Sequence, residues 1–165
     1  MSLKLAIFNG WNALTSYRGF FTARRIWLNR SGLSVGSGVR IASGAKFYDK
    51  YISIGDNAWI GSGVSFFSSA KGTITIGKNV DIGPGTTIVS GSHEIGGSQR
   101  RAGNGKGENI KIGDGTWVGA GVLILSGATI GKGSIVAAGS VVTGGKYPDD
   151  VLLAGNPAIV KKTLS

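Results

Sequence analysis

Residues 112–147 read IGDGTWVGAGVLILSGATIGKGSIVAAGSVVTGGKY. Cut every six residues, they give IGDGTW, VGAGVL, ILSGAT, IGKGSI, VAAGSV and VTGGKY, six blocks without a slip, each opening on Ile or Val. The fifth position of most blocks is small or β-branched: Thr116, Val122, Ala128, Ser134 and Ser140. The same register runs upstream. Ile76, Ile82 and Ile88 open IGKNVD, IGPGTT and IVSGSH, Ile54 and Ile60 open IGDNAW and IGSGVS, and Phe66 keeps the count. Val35, Ile41 and Phe47 form a looser first block. A period of six fits neither a helix nor an ordinary hairpin strand. It fits a short strand and a turn, repeated. Position one points inward, position five fills the corner, and Gly, Asn or Asp between them lets the backbone turn. Three such sides close a triangular coil, and stacked coils pair their strands as parallel sheets. The fold class is all-β, a parallel β-helix.

The chain has 165 residues, enough for one domain with a sizeable core. Its 30 glycines are spread along the chain, as many tight turns require, and it has no cysteine. A disulfide framework and a thiolate metal site are thereby excluded, in keeping with a reducing compartment. MSLKLAIF lacks the long apolar stretch of a secretory leader, so a cytoplasmic location is expected. Lys and Arg number 18 against 8 Asp and Glu, a formal charge of +10, which predicts anionic partners. Aromatics are few and not interleaved with the cations, so nucleic acid is a poor candidate.

Residues 33–147 are assigned to the β-helix, with an excursion at 94–109, and residues 148–165 to a tail packing on its end. Residues 1–32 lie outside the repeat. Ile7, Trp11 and Leu14, then Phe20, Phe21, Ile26 and Trp27, suit one or two helices broken near Gly10 and Gly19. Such a segment can cap the end of the solenoid. It is also basic and free of acids, which suits contact with an anionic membrane surface or a lipid-linked glycan.

The hexads from WVGAGVLILSGATIGKGSIVAAGSVVT to VLLAGNPAIVKK resemble the hexapeptide-repeat acyltransferases, and within them the sugar and polysaccharide O-acetyltransferases. The resemblance covers residues 33 to 162 and implies a left-handed β-helix, a homotrimer with each site between two subunits, and acetyl-CoA as co-substrate. Carbonic anhydrases share the fold but need three histidines, and this chain has one, which also argues against a histidine-rich zinc site. No metal is required by acetyl transfer.

That one histidine, His93, stands where the register lapses. EIGGSQRRAGNGKGENIK follows, polar and glycine-rich, before the hexads resume at Ile112. Excursions from a solenoid are where binding residues sit. A sugar hydroxyl needs a base to attack a thioester, and an imidazole, which ordinarily titrates near neutrality, can take its proton. The resemblance gives His93 that role. Glu94 is preferred over Asp81 as the carboxylate that orients it. Asp81, Arg100 and Arg101 are candidates for the carbohydrate acceptor. By motif, the resemblance puts oxyanion or cofactor amides at Gly119 or Ala120 and at Ala138. Trp117 either lines the channel or stacks on a corner. Thr143 matches the VVT motif. Its usual following lysine is Gly144 here, leaving Lys146 as substitute, and Lys161 and Lys162 fall where relatives contact a phosphate. The rival readings are an N-acetyltransferase of an amino-sugar nucleotide and a non-catalytic β-helix scaffold.

Overall fold

A computed structural model describes residues 1–165. The chain winds into a three-sided coil. Side A holds strands Ser34–Val35, Ile52–Ile54, Ile74–Ile76, Ile110–Ile112, Ala128–Ile130 and Gly145–Tyr147. Side B holds Arg40–Ile41, Trp59–Ile60, Asp81–Ile82, Trp117–Val118, Ile135–Val136 and Val151–Gly155. Side C holds Lys46–Phe47, Ser65–Phe67, Thr87–Val89, Leu123–Leu125 and Val141–Val142. These strands pair in parallel with the coils above and below, and the last strand of side B is covered by Ala158–Thr163, folded back antiparallel.

The hexad positions explain the packing. The first residues, Ile82, Val118 and Val136 on side B and Phe66, Ile88, Ile124 and Val142 on side C, are wholly buried. Each such side chain contributes roughly 1.5–3 kcal/mol of burial. The fifth residues Thr116, Val122, Ala128, Ser134 and Ser140 are at most 2 % exposed. Between sides A and B, acids tie coil to coil: the carboxylates of Asp56, Asp114 and Asp149 accept the N–H groups of Ser37, Lys78 and Lys132 at 2.8, 2.8 and 2.9 Å. The bonds from the Ser37 N–H and hydroxyl hold the Asp56 carboxyl below the usual carboxylate range. Asn57 (φ 60°) and Asn79 (φ 53°) take the left-handed corner position that Gly121 (φ 65°) takes elsewhere.

Between sides B and C the corners stack so closely that a Cβ on Gly83 would lie 2.6 Å from both the Ala120 nitrogen and the Gly119 carbonyl carbon. Backbone atoms cannot yield as a side chain can. Gly83→Ala is expected to cost about 1–3 kcal/mol, read as a fall of several degrees in melting temperature.

Two helices precede the coil, α1 (Leu3–Leu14) and α2 (Phe21–Arg30). The break falls only at residues 15–20. Gly10 does not interrupt α1, because the helix must continue to bury Leu5, Phe8 and Asn12 on one face. The pair packs on the first coil through Phe8, Leu28 and Phe47. It also closes the exposed strand edges. The Asn9 amide accepts from Phe47 N–H at 3.0 Å and donates to Phe47 O at 3.1 Å. Asn29 does the same for Val35, at 2.9 and 3.0 Å. Arg24 Nη1 donates to Ile41 O at 2.8 Å. One side chain thus serves the end strand of each of sides C, A and B. No helix is long and apolar enough to cross a membrane.

Candidate active site

After Val89 the chain leaves the coil. Gly91–Ile95 and Ala102–Gly107 form an antiparallel hairpin, with His93 opposite Gly105 and an irregularity between His93 and Ile95. The hairpin projects from the corner between sides C and A. Its base is fixed by buried Ser90, whose hydroxyl bonds Gly72 O and whose carbonyl accepts from Ser126 Oγ at 2.8 Å and Glu108 N–H at 3.1 Å. Lys71 Nζ donates to Gly105 O at 2.7 Å. The register is unaffected: Ile76 pairs with Ile112 as Ile54 pairs with Ile76.

His93 is exposed, and its Nδ1 lies 3.0 Å from Gly103 O across the hairpin. A carbonyl oxygen only accepts, so this bond requires Nδ1–H. In the neutral imidazole Nε2 then carries the lone pair, which is the tautomer a general base needs. Neither candidate carboxylate makes the contact. The Glu94 carboxylate accepts from Asn104 Nδ2 at 3.2 Å instead. Asp81 lies on side B, in register between Trp59 and Trp117 and away from the hairpin. Gly103 and Asn104 had no signal in the sequence, because a carbonyl partner is available at every residue. Arg100 lines the same shallow concavity as His93, Glu94 and Asn104, and Arg101 Nη1 donates to Gly96 O at 3.3 Å.

The other candidates stand elsewhere on the coil. At the corner of sides B and C, the Gly119 N–H is used by Val136 O at 2.8 Å. Ala120 and Ala138 are exposed, and their N–H groups donate to nothing in the chain. Successive coils are about 4.8 Å apart, so these two amides form free rungs suited to successive acceptors of one extended ligand. Trp117, 56 % exposed, stands beside them on side B. Thr143 ends side C, its Oγ1 3.4 Å from Tyr147 Oη. Lys146 lies on the outer face of side A beside Thr129, and Lys161 and Lys162 lie exposed on the terminal strand of side B. One chain does not gather these residues into one pocket. The His93 hairpin and the free amides occupy opposite edges of side C, one hexad or about 20 Å apart.

Two family models match the chain: bacterial transferase hexapeptide (six repeats) over residues 109–144, and the hexapeptide repeat of succinyl-transferase over residues 51–90. Among solved structures, a hexapeptide-repeat acetyltransferase of Vibrio cholerae O1 biovar eltor complexed with acetyl coenzyme A is 29% identical, with a TM-score of 0.82 over 98% of this chain and 86% of that one. A galactoside acetyltransferase in complex with coenzyme A is 27% identical, TM-score 0.85, over 99% and 80%. A maltose O-acetyltransferase from Clostridium difficile 630 is 29% identical, TM-score 0.75, over 98% and 84%. No curated protein matches in sequence.

Proposed function

We propose that this chain, a hexapeptide-repeat acyltransferase, moves an acetyl group from acetyl-CoA to a sugar hydroxyl of a surface polysaccharide or its precursor. It would act in the cytoplasm, where acetyl-CoA is made. The observation that carries this reading is the bond from His93 Nδ1 to the Gly103 carbonyl, which leaves Nε2 free and facing solvent on the hairpin. Nε2 takes the hydroxyl proton as the sugar oxygen bonds to the acyl carbon. One free corner amide, Ala120 or Ala138, holds the acyl oxygen as charge develops there. The other takes a carbonyl of the carrier's arm. The carbon–sulfur bond breaks, and His93 returns the proton to the departing thiolate. The chain has no cysteine and no serine placed as an obvious nucleophile, so transfer is taken as direct, without an acyl-enzyme.

Assembly as a homotrimer brings the two halves together. An apolar column runs up the outer face of side C: Tyr48 and Phe67 stack at 4.2 Å, Val89 and Leu125 continue it, and Leu123 pairs with Val141 in the column beside it. The outer column of side A is polar, Ser53, Thr75, Lys111, Thr129 and Lys146, and that of side B sets Arg40 and Asp81 among its tryptophans. Three coils closed about a three-fold axis with side C inward would set the C–A corner of one against the B–C corner of the next. His93 of one copy then faces the free amides of its neighbour.

The test is heat stability of the purified protein with and without acetyl-CoA, combined with thiol release in the presence of neutral sugars and amino sugars. Stabilisation by acetyl-CoA with turnover on hydroxyl acceptors supports the reading. Turnover on amines alone replaces it with N-acetylation, and no response to acetyl-CoA removes it. Leu125→Asp, at a half-buried outer position, is expected to yield a folded single chain whose transfer rate falls at least about 100-fold, because the divided site is no longer held together. Sedimentation and rate measured on one preparation check this, and an active monomer would overturn the shared site.

A further inference from the structure

α1 is apolar on two faces. The inner face, Leu5 and Phe8, packs on the coil. The outer face carries Leu3, Ile7 and Leu14, which are 76 %, 52 % and 90 % exposed. Their spacing puts them on one stripe, and no element of the chain covers it. Across a groove lined by Lys4, Ala23, Ile26, Trp27, Arg30 and Ser31, the apolar surface continues onto α2 at Ile26, 40 % exposed. Lys4 and Arg30 flank the groove, both exposed. No acid occurs before Asp49.

An apolar stripe rimmed by cations is the pattern of a helix lying in the plane of a bilayer interface. We propose that the N-terminal helix pair docks this protein on an anionic lipid surface. Leu3, Ile7, Leu14 and Ile26 enter the headgroup layer, and Lys4 and Arg30 meet lipid phosphates. A second copy is a poor occupant, because two such faces would oppose like charges with no acid to relieve them. The pair covers the end of the coil and, apart from Tyr17 and Phe21 reaching Trp59 on side B, leaves its sides free, so assembly through side C about an axis along the stack would keep every cap uncovered and facing one way. That avidity rests on the trimer reading; docking by a single cap does not.

The experiment is co-sedimentation of the full chain with vesicles of phosphatidylcholine alone, and of phosphatidylcholine and phosphatidylglycerol in equal parts, at low and high salt. The wild type is expected to bind the anionic vesicles only, and less at high salt. Each of Lys4→Gln and Arg30→Gln is expected to weaken binding about fivefold. Ile7→Asp with Ile26→Asp is expected to abolish it, with transfer to a soluble sugar unchanged. If the aspartate pair melts early, the glutamine pair, both at exposed positions, carries the test. No binding, equal binding to both vesicles, or indifference to these variants overturns the proposal. So does a smaller particle for Ile7→Asp without vesicles, which would make the stripe a contact between copies. A wild type that binds vesicles but transfers no acetyl group would sink the acetyltransferase reading and leave docking standing.

Discussion

His93→Ala is expected to lower kcat for acetyl transfer by about 10²–10⁴-fold, the usual range for removing a positioned base. Heat stabilisation by acetyl-CoA should survive, because the residues offered to the carrier stand on the coil and not on the hairpin. The fold should survive as well. His93 is exposed, and the one bond of its side chain goes to Gly103 O on the same hairpin. A fall in kcat with cofactor stabilisation intact separates a lost base from a lost site. Glu94→Gln is the informative partner. Its carboxylate is engaged by Asn104 and not by the imidazole, so the expected loss is less than about tenfold, with the base still held in its tautomer by a carbonyl. Rates for both variants at saturating acetyl-CoA decide the matter. Equal, large losses would restore the carboxylate–imidazole pair.

Arg24→Met is expected to cost about 2–4 kcal/mol of stability, a fall of roughly 5–15 °C in melting temperature. The guanidinium is fully buried and has no acid beside it. Nη1 donates to Gly19 O at 2.6 Å and Ile41 O at 2.8 Å, and Nη2 to Thr15 Oγ1 at 2.7 Å and Ser16 O at 2.9 Å. Burial pushes the pKa of the group down, a sign that an unpaired charge there is costly. Methionine removes that cost but takes a donor from each of four acceptors and leaves Gly19 O and Ile41 O with none, and the second effect is the larger. Arg24→Lys should rescue little, since a single ammonium cannot span acceptors placed for a planar fork. Thermal melts of the three proteins give the answer. A methionine variant as stable as the wild type would show that the linker between the helices finds other donors.

The β-helix was legible because its signal repeats: a buried aliphatic at every sixth residue cannot hide in a chain this long. The excursion was legible as a lapse in that count, and His93 as the one imidazole at its edge. What the sequence could not show is what a residue's neighbours do with their backbones. Glu94 follows His93 directly, yet the contact is made by a glycine carbonyl ten residues on. Gly119 and Ala120 were equal candidates until the ladder bond to Val136 took one of the two amides. Arg24 read as one more cation in a basic segment, because only the fold reveals that it faces inward.

Nothing in the hexad itself says when to stop. Each coil presents to the next the same donors, acceptors and apolar steps that it received from the one before, so the solenoid is in principle an open lattice that could grow at either end. Its length is written by terminators outside the repeat. At one end Asn9, Asn29 and Arg24 imitate the strand that would come next. At the other, residues Ala158–Thr163 run backwards across side B and leave no parallel edge there to extend. The parts of this chain that do not repeat are what make it a discrete molecule and not a fibre.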